Sequence, residues 1–131
     1  MKSREKALLV AELARSKKAQ GLVILDMKKL SNITDYFIIA TSASTRRSQT
    51  IAETIEEGLL KAREPVSSIE GRQDGEWILI DAYDVVTHIF KSEVRDFYNL
   101  ESLWSDAPRV RICRRSQKKK IKHSKKSSKR K

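Results

Sequence analysis

One cysteine, Cys113, is all the thiol chemistry available to this chain. No intramolecular disulfide framework can form, and that usage fits a reducing compartment. Long apolar runs are missing too: none approaches the roughly 18 residues of a membrane span. The opening MKSREKALLVAELARSKKAQ lacks a cleavable apolar core and places Glu5 and Glu12 among its bases. Both features argue against a secretory signal, and the acids argue against an organellar transit peptide. The expectation is a cytoplasmic protein with no membrane contact.

The most informative shortage is of acid. From Arg109 to the end there are thirteen Lys/Arg and no Asp or Glu. Residues 1–108 hold the other fifteen bases and all 17 acids, a net charge of −2. The formal charge of +11 therefore belongs entirely to the C-terminal segment. The body is a nearly neutral globular domain, and 131 residues suffice for one such domain plus an appendage. Residues 1–108 are read as the domain, and 109–131 as a basic, disordered tail with too few apolar residues to pack.

What is present is an alternation of helix and strand signals without an internal repeat. Residues 6–18 read as a helix, with Ala7, Val10, Ala11 and Ala14 on one stripe. Leu22 to Met27 and Asp35 to Thr41 read as a strand pair, the second apolar on both faces and therefore central. A long helix runs from Ser44, its N-cap, to about Arg63, keeps Ile51, Ile55 and Leu59 on one face, and stops at Pro65. Val66 to Glu70 is a short strand. Ser92 can cap a short helix, Glu93 to Asn99, and Leu100, Leu103 and Trp104 form a closing patch. The order α-β-β-α-β-β-β-α implies an α/β fold, one mixed or antiparallel five-stranded sheet packed with helices.

The densest apolar stretch is EWILIDAYDVVTHIF, Glu76 to Phe90. Its bulky, mostly β-branched or aromatic halves predict an antiparallel hairpin. Neither face is cleanly polar, so both need cover, and part of that cover is expected from another molecule. With a three-residue loop, Asp81 pairs with Val85. Trp77, Leu79 and Asp81 then share a face with Thr87 and Ile89, leaving Ile78, Ile80, Val86 and Phe90 for the helices. A face of Trp, Leu, Thr and Ile edged by Tyr83 and Asp81 has the apolar centre and polar rim of an interface.

Three blocks carry a family resemblance: SNITDYFIIATSASTRRSQTIAETIEEGL, IEGRQDGEWILIDAYDVVTHIF and RDFYNLESLWSDAPRV. In this order and spacing they resemble the Iojap family, the bacterial ribosomal silencing factors, over about residues 5–110. The resemblance implies a fold related to nucleotidyltransferases without their activity. It also implies a translational repressor that binds the large ribosomal subunit at universal ribosomal protein fourteen, blocks docking of the small subunit, and tends to self-associate. The C-terminal Lys/Arg run is not part of that pattern.

No catalytic constellation competes with this reading. Ser42 to Ser44 superficially resembles a phosphate-holding turn, but it contains no glycine and no D-x-D or D-x-E follows, so it reads as a helix cap. Asp81 and Asp84 read as turn formers. His88, in an apolar strand, reads as a buried or interface histidine, and His123 and Cys113 stand alone in the tail. No metal or cofactor is expected. The candidate protein-binding residues are Trp77, Leu79, Asp81, Tyr83 and His88, with Arg95 and Tyr98 from the following helix. For ribosomal RNA the candidates are Arg114, Arg115, Lys118, Lys119, Lys120 and Lys122, which attract phosphate without aromatic stacking. Two rival readings stand beside this one: a general RNA-binding protein acting through its tail, and a small nucleotidyltransferase.

Overall fold

In the computed structural model, which describes residues 1–94 and 107–112, the chain runs α1 (Ser3–Ser16), β1 (Gln20–Asp26), β2 (Tyr36–Ser42), α2 (Thr45–Lys61), β3 (Ser68–Glu70), β4 (Trp77–Ala82), β5 (Val85–Lys91) and β6 (Arg109–Val110). The strands form one mixed sheet of order β3-β4-β5-β2-β1-β6. Among the described residues only the β2–β5 pair is parallel. The expected pairings of β1 with β2 and of β4 with β5 are present, and β2, apolar on both faces, lies inside the sheet.

The sheet has six strands where five were expected. Arg109 and Val110 pair with Leu25 and Ile24, and Asp26 N–H donates to the Pro108 carbonyl at 2.7 Å. The open outer edge of β1 offers unpaired backbone groups, and a two-residue strand there satisfies them. The folded body thus extends past the boundary expected at 108, and Val110 and Ile112 pack against the core.

α1 and α2 cover one side of the sheet. Ala7, Val10, Ala11 and Ala14 of α1, with Ile51, Ile55 and Leu59 of α2, meet Ile24, Ile38, Ala40, Ile78, Ile80 and Ile89. Full burial of each large aliphatic side chain contributes about 1.5–3 kcal/mol. The Ser44 side chain accepts from Arg47 N–H and caps α2 as expected. Ser42 and Ser48 hydroxyls bond to each other behind that cap.

Both helices end in the same way. Ala19 N–H reaches the Ala14 carbonyl and Lys18 N–H that of Arg15; Glu64 and Arg63 repeat this on Leu59 and Leu60. These are Schellman closures, but Lys18 (φ 67°) and Arg63 (φ 62°) occupy the left-handed position that glycine favours. The second closure brings Glu64 beside Lys6. Lys6 is only 3% exposed, yet its ammonium donates to the Ala82 carbonyl at 2.6 Å and Asp84 Oδ1 at 2.8 Å, with Glu64 at 3.5 Å. That network ties α1 to the tip of the β4–β5 hairpin. Residues 92–94 begin a helical turn; the rest of the helix expected to Asn99, and the patch of Leu100, Leu103 and Trp104, lie outside the described residues. Among the described residues no helix is long and apolar enough to cross a membrane.

Candidate protein-docking face

The side of the sheet away from the helices is built by register. Ala82 pairs with Val85, so the β4–β5 loop has two residues, Tyr83 and Asp84, not three. This shifts the expected pairing by one and exchanges faces on β5. Thr87 and Ile89 turn to the helices, whereas Val86, His88 and Phe90 join Trp77, Leu79 and Asp81. Ile78 and Ile80 face the helical core as expected. The tighter loop is possible because Tyr83 adopts φ 70° and its N–H is held by Asp81 Oδ1 at 2.9 Å.

Neighbouring strands extend the face in rows. Ser68, Asp81, Val86, Phe37 and Leu25 form one row. Glu70, Leu79, His88, Ile39 and Val23 form the next. Leu25, Ile39 and Phe90 are buried, and Val94 and Ala107, the residues flanking segment 95–106, pack on the same cluster. Toward the β4 side the face opens. Leu79, Asp81 and Val86 are half-buried, and Trp77 and Tyr83 are 38% and 55% exposed. Glu70 and Asp81 place acid at its margin.

Trp77 is held rather than loose. Its indole N–H donates to His88 Nδ1 at 3.2 Å, and its ring centroid lies 5.0 Å from that of Phe90. Phe37 meets the His88 ring edge-on at 5.1 Å. An indole nitrogen can only donate, so His88 must present a bare Nδ1 and carry its proton on Nε2. Burial enforces the neutral form, pushing the His88 pKa down to about 4. The turn before β4 sets the position of Trp77. Gly71 has φ 79°, and a Cβ there would fall 2.1 Å from the Trp77 carbonyl oxygen.

Of the residues predicted to bind protein, the structure brings together Trp77, Leu79, Asp81, Tyr83 and His88. Trp77, Leu79 and Tyr83 are accessible. Asp81 serves the hairpin turn as well as the rim. His88, 5% exposed, lies beneath the surface and acts on it through Trp77. Arg95 and Tyr98 lie outside the described residues, as do Cys113, His123 and all six tail candidates for RNA. Phe37, Val86 and Phe90 were missed on this face, the last two because of the loop length. Their signal was alternation: a two-residue loop puts the polar Thr87 inward and clusters His88 with three aromatic rings.

Asp84 is engaged by Lys6, and the described residues contain no group of three or more His, Cys, Asp or Glu able to hold a metal ion. The geometry is that of an adhesive surface, with a half-exposed apolar centre, an anchored aromatic and an acidic margin.

Comparison with known proteins gives a consistent picture. The family described as "Ribosomal silencing factor during starvation" matches residues 1–131. "Ribosomal silencing factor RsfS" of Halalkalibacterium halodurans is 37% identical over 112 residues, covering 86% of this chain and 96% of its own. "Mitochondrial assembly of ribosomal large subunit protein 1" of Mus musculus is 29% identical over 100 residues, 74% of this chain and 44% of its own. A crystal structure of a Chromobacterium violaceum protein superposes with a TM-score of 0.78 at 34% identity, covering 80% of this chain and 88% of its own.

Proposed function

The chain belongs to the family of ribosomal silencing factors, and from that premise we propose that it represses translation by docking on the large ribosomal subunit through the sheet face around Trp77 and Leu79. Membership of the family makes it a ribosome-associated repressor of translation. The docking partner in this reading is universal ribosomal protein fourteen, and the mechanism is steric: a folded body of this size on that protein keeps the small subunit from joining. Occupancy alone does the work, with no cofactor and no turnover, in the cytoplasm. The mouse relative's name, which refers to assembly of the large subunit, supports the choice of subunit.

The observation that carries the reading is Trp77. An exposed indole normally samples several rotamers, and ordering it on binding costs free energy. Here the hydrogen bond to His88 and the packing on Phe90 hold the ring beforehand. Tyr83 extends the surface at the hairpin tip, and the acids Glu70 and Asp81 suit a positively charged protein partner. Arg95 and Tyr98 complete the contact from the chain beyond β5. The basic segment, through Arg114, Arg115, Lys118, Lys119, Lys120 and Lys122, adds non-specific contact with ribosomal RNA nearby. Self-association into a homodimer belongs to the same reading.

Sedimentation with purified subunits tests it. The full chain should follow the large subunit through a density gradient and reduce the yield of whole ribosomes when the small subunit is added. Migration with the small subunit, or unchanged joining at saturating protein, would overturn the proposal.

A further inference from the structure

Tyr83 stands in a backbone conformation that its own side chain penalises. In the two-residue loop between β4 and β5 its φ is 70°, whereas that of Asp84 is not positive, the pattern of a type II′ turn. Glycine is the usual residue at that first position, because a Cβ there crowds the following carbonyl oxygen. The chain does use glycine for this purpose in the turn before β4, where Gly71 and Gly75 have φ of 79° and 70°. Among the described residues the other two side chains carried on a positive φ are Lys18 and Arg63, at helix ends.

A bulky residue persists in such a place only where its surroundings over-determine it. Three sets of bonds do so here. Asp81 Oδ1 accepts from Tyr83 N–H at 2.9 Å. The Asp84 carbonyl accepts from the N–H groups of Asp35 and Tyr36 at 2.9 and 3.1 Å. From α1, the Lys6 ammonium donates to the Ala82 carbonyl at 2.6 Å and to Asp84 Oδ1 at 2.8 Å. One buried cation thus grips the residue on each side of Tyr83, with Glu64 Oε1 at 3.5 Å as its second anion. Each of these bonds holds backbone or a neighbouring side chain, and the tyrosine itself is 55% exposed at the tip. Folding alone favours glycine at this position. A ring strained into place and left in the open is one that a partner uses.

We infer that Tyr83 is a specificity-determining contact of the docking face and that Lys6 is the positioning residue that presents it. The inference rests on the docking reading given above, and it adds α1, on the opposite side of the sheet, to the determinants of docking. A tyrosine at a tip offers an apolar flank and a phenol hydroxyl with only two side-chain torsions to fix, the amphipathic anchor that suits a recess in a protein. Clamping its backbone beforehand removes ordering cost from the binding step.

The test titrates the full chain against purified large subunits and reads Kd by co-sedimentation, at a temperature where circular dichroism shows every variant folded. Tyr83→Gly relieves the left-handed backbone, so its melting temperature should be at or above that of wild type, yet loss of the ring should weaken Kd about tenfold. Lys6→Met should weaken Kd by about as much on its own and add nothing in the Tyr83→Gly background, the non-additivity of two residues that act through one contact. Wild-type affinity in Tyr83→Gly would overturn the inference, and that arm involves no destabilised variant. Equal losses from Lys6→Met in both backgrounds, or no loss in either, would confine Lys6 to the fold and overturn it as well. Trp77→Ala, run alongside, separates this inference from the docking reading: if it weakens Kd and Tyr83→Gly does not, the face stands and the role of Tyr83 falls. A wild-type chain that ignores the large subunit would remove the docking reading and this inference with it.

Discussion

Protonating His88 should cost this fold about 2 kcal/mol by pH 5, because the imidazole is buried and its Nδ1 is committed to accepting from Trp77. The magnitude follows from linkage. An unfolded histidine titrates near 6.5, whereas burial lowers His88 to about 4 in the fold. Above pH 6.5 both states are neutral and the group contributes no pH dependence. Between 6.5 and 4 the unfolded chain binds a proton that the folded chain refuses, so stability falls with pH. Below 4 the loss levels off near 3.4 kcal/mol, 1.36 kcal/mol for each pH unit of the gap. The perturbation is His88→Asn, which keeps an acceptor available to the indole but does not titrate. Urea denaturation followed by far-UV circular dichroism, at pH 7.5 and 5.0, gives the two stabilities. The wild type should lose about 2 kcal/mol more than the variant between those conditions. The other histidine, His123, is present in both proteins and cancels in the comparison. Parallel losses, or a His88 ring resonance that titrates near 6.5 in the folded protein, would refute the assignment.

Other consequences are equally direct. Trp77→Ala should weaken binding to large subunits by about 2 kcal/mol, roughly thirtyfold in co-sedimentation, and should also lower the melting temperature, because it strips the ring from Phe90 and leaves the buried His88 Nδ1 without its donor. Lys6→Met should destabilise the fold by about 1–3 kcal/mol in urea titrations, because the buried Ala82 carbonyl loses its donor and Asp84 loses its cation. Gly71→Ala should cost at least about 1–3 kcal/mol and displace Trp77, detectable as a shift of the indole N–H resonance, because the added Cβ meets the Trp77 carbonyl in a left-handed turn.

Much of this architecture was legible before any coordinates. The α1 stripe of Ala7, Val10, Ala11 and Ala14, the Ser44 cap and the β4–β5 hairpin follow from local periodicity and side-chain chemistry, and each is formed as expected. The hairpin's register was not legible. Asp-Ala-Tyr-Asp contains no glycine to announce a two-residue loop, and the loop closes that way only because Tyr83 takes a positive φ with Asp81 holding its N–H. One residue of slip was enough to exchange Thr87 and Ile89 for Val86 and Phe90 on the candidate face. β6 was hidden for a different reason. Two residues in a basic run carry no pattern of their own, and they form a strand only because β1 leaves an open edge. Lys6 was also unreadable: on a helix of mixed charge a lysine defaults to solvent, and only the distant Ala82 carbonyl, Asp84 and Glu64 make its burial tolerable. Trp77 as an outward residue was readable from its place at the start of its strand. Its support by His88 needed the register.

The central claim is that the sheet face opposite the helices, not the helical side, meets the large subunit. A photo-crosslinking amino acid placed at Leu79 should link the chain to a protein of the large subunit. The same probe at Glu57, exposed on the outer side of α2, should not. Crosslinks from position 57 alone, or none from position 79 on subunits that the protein saturates, would contradict it.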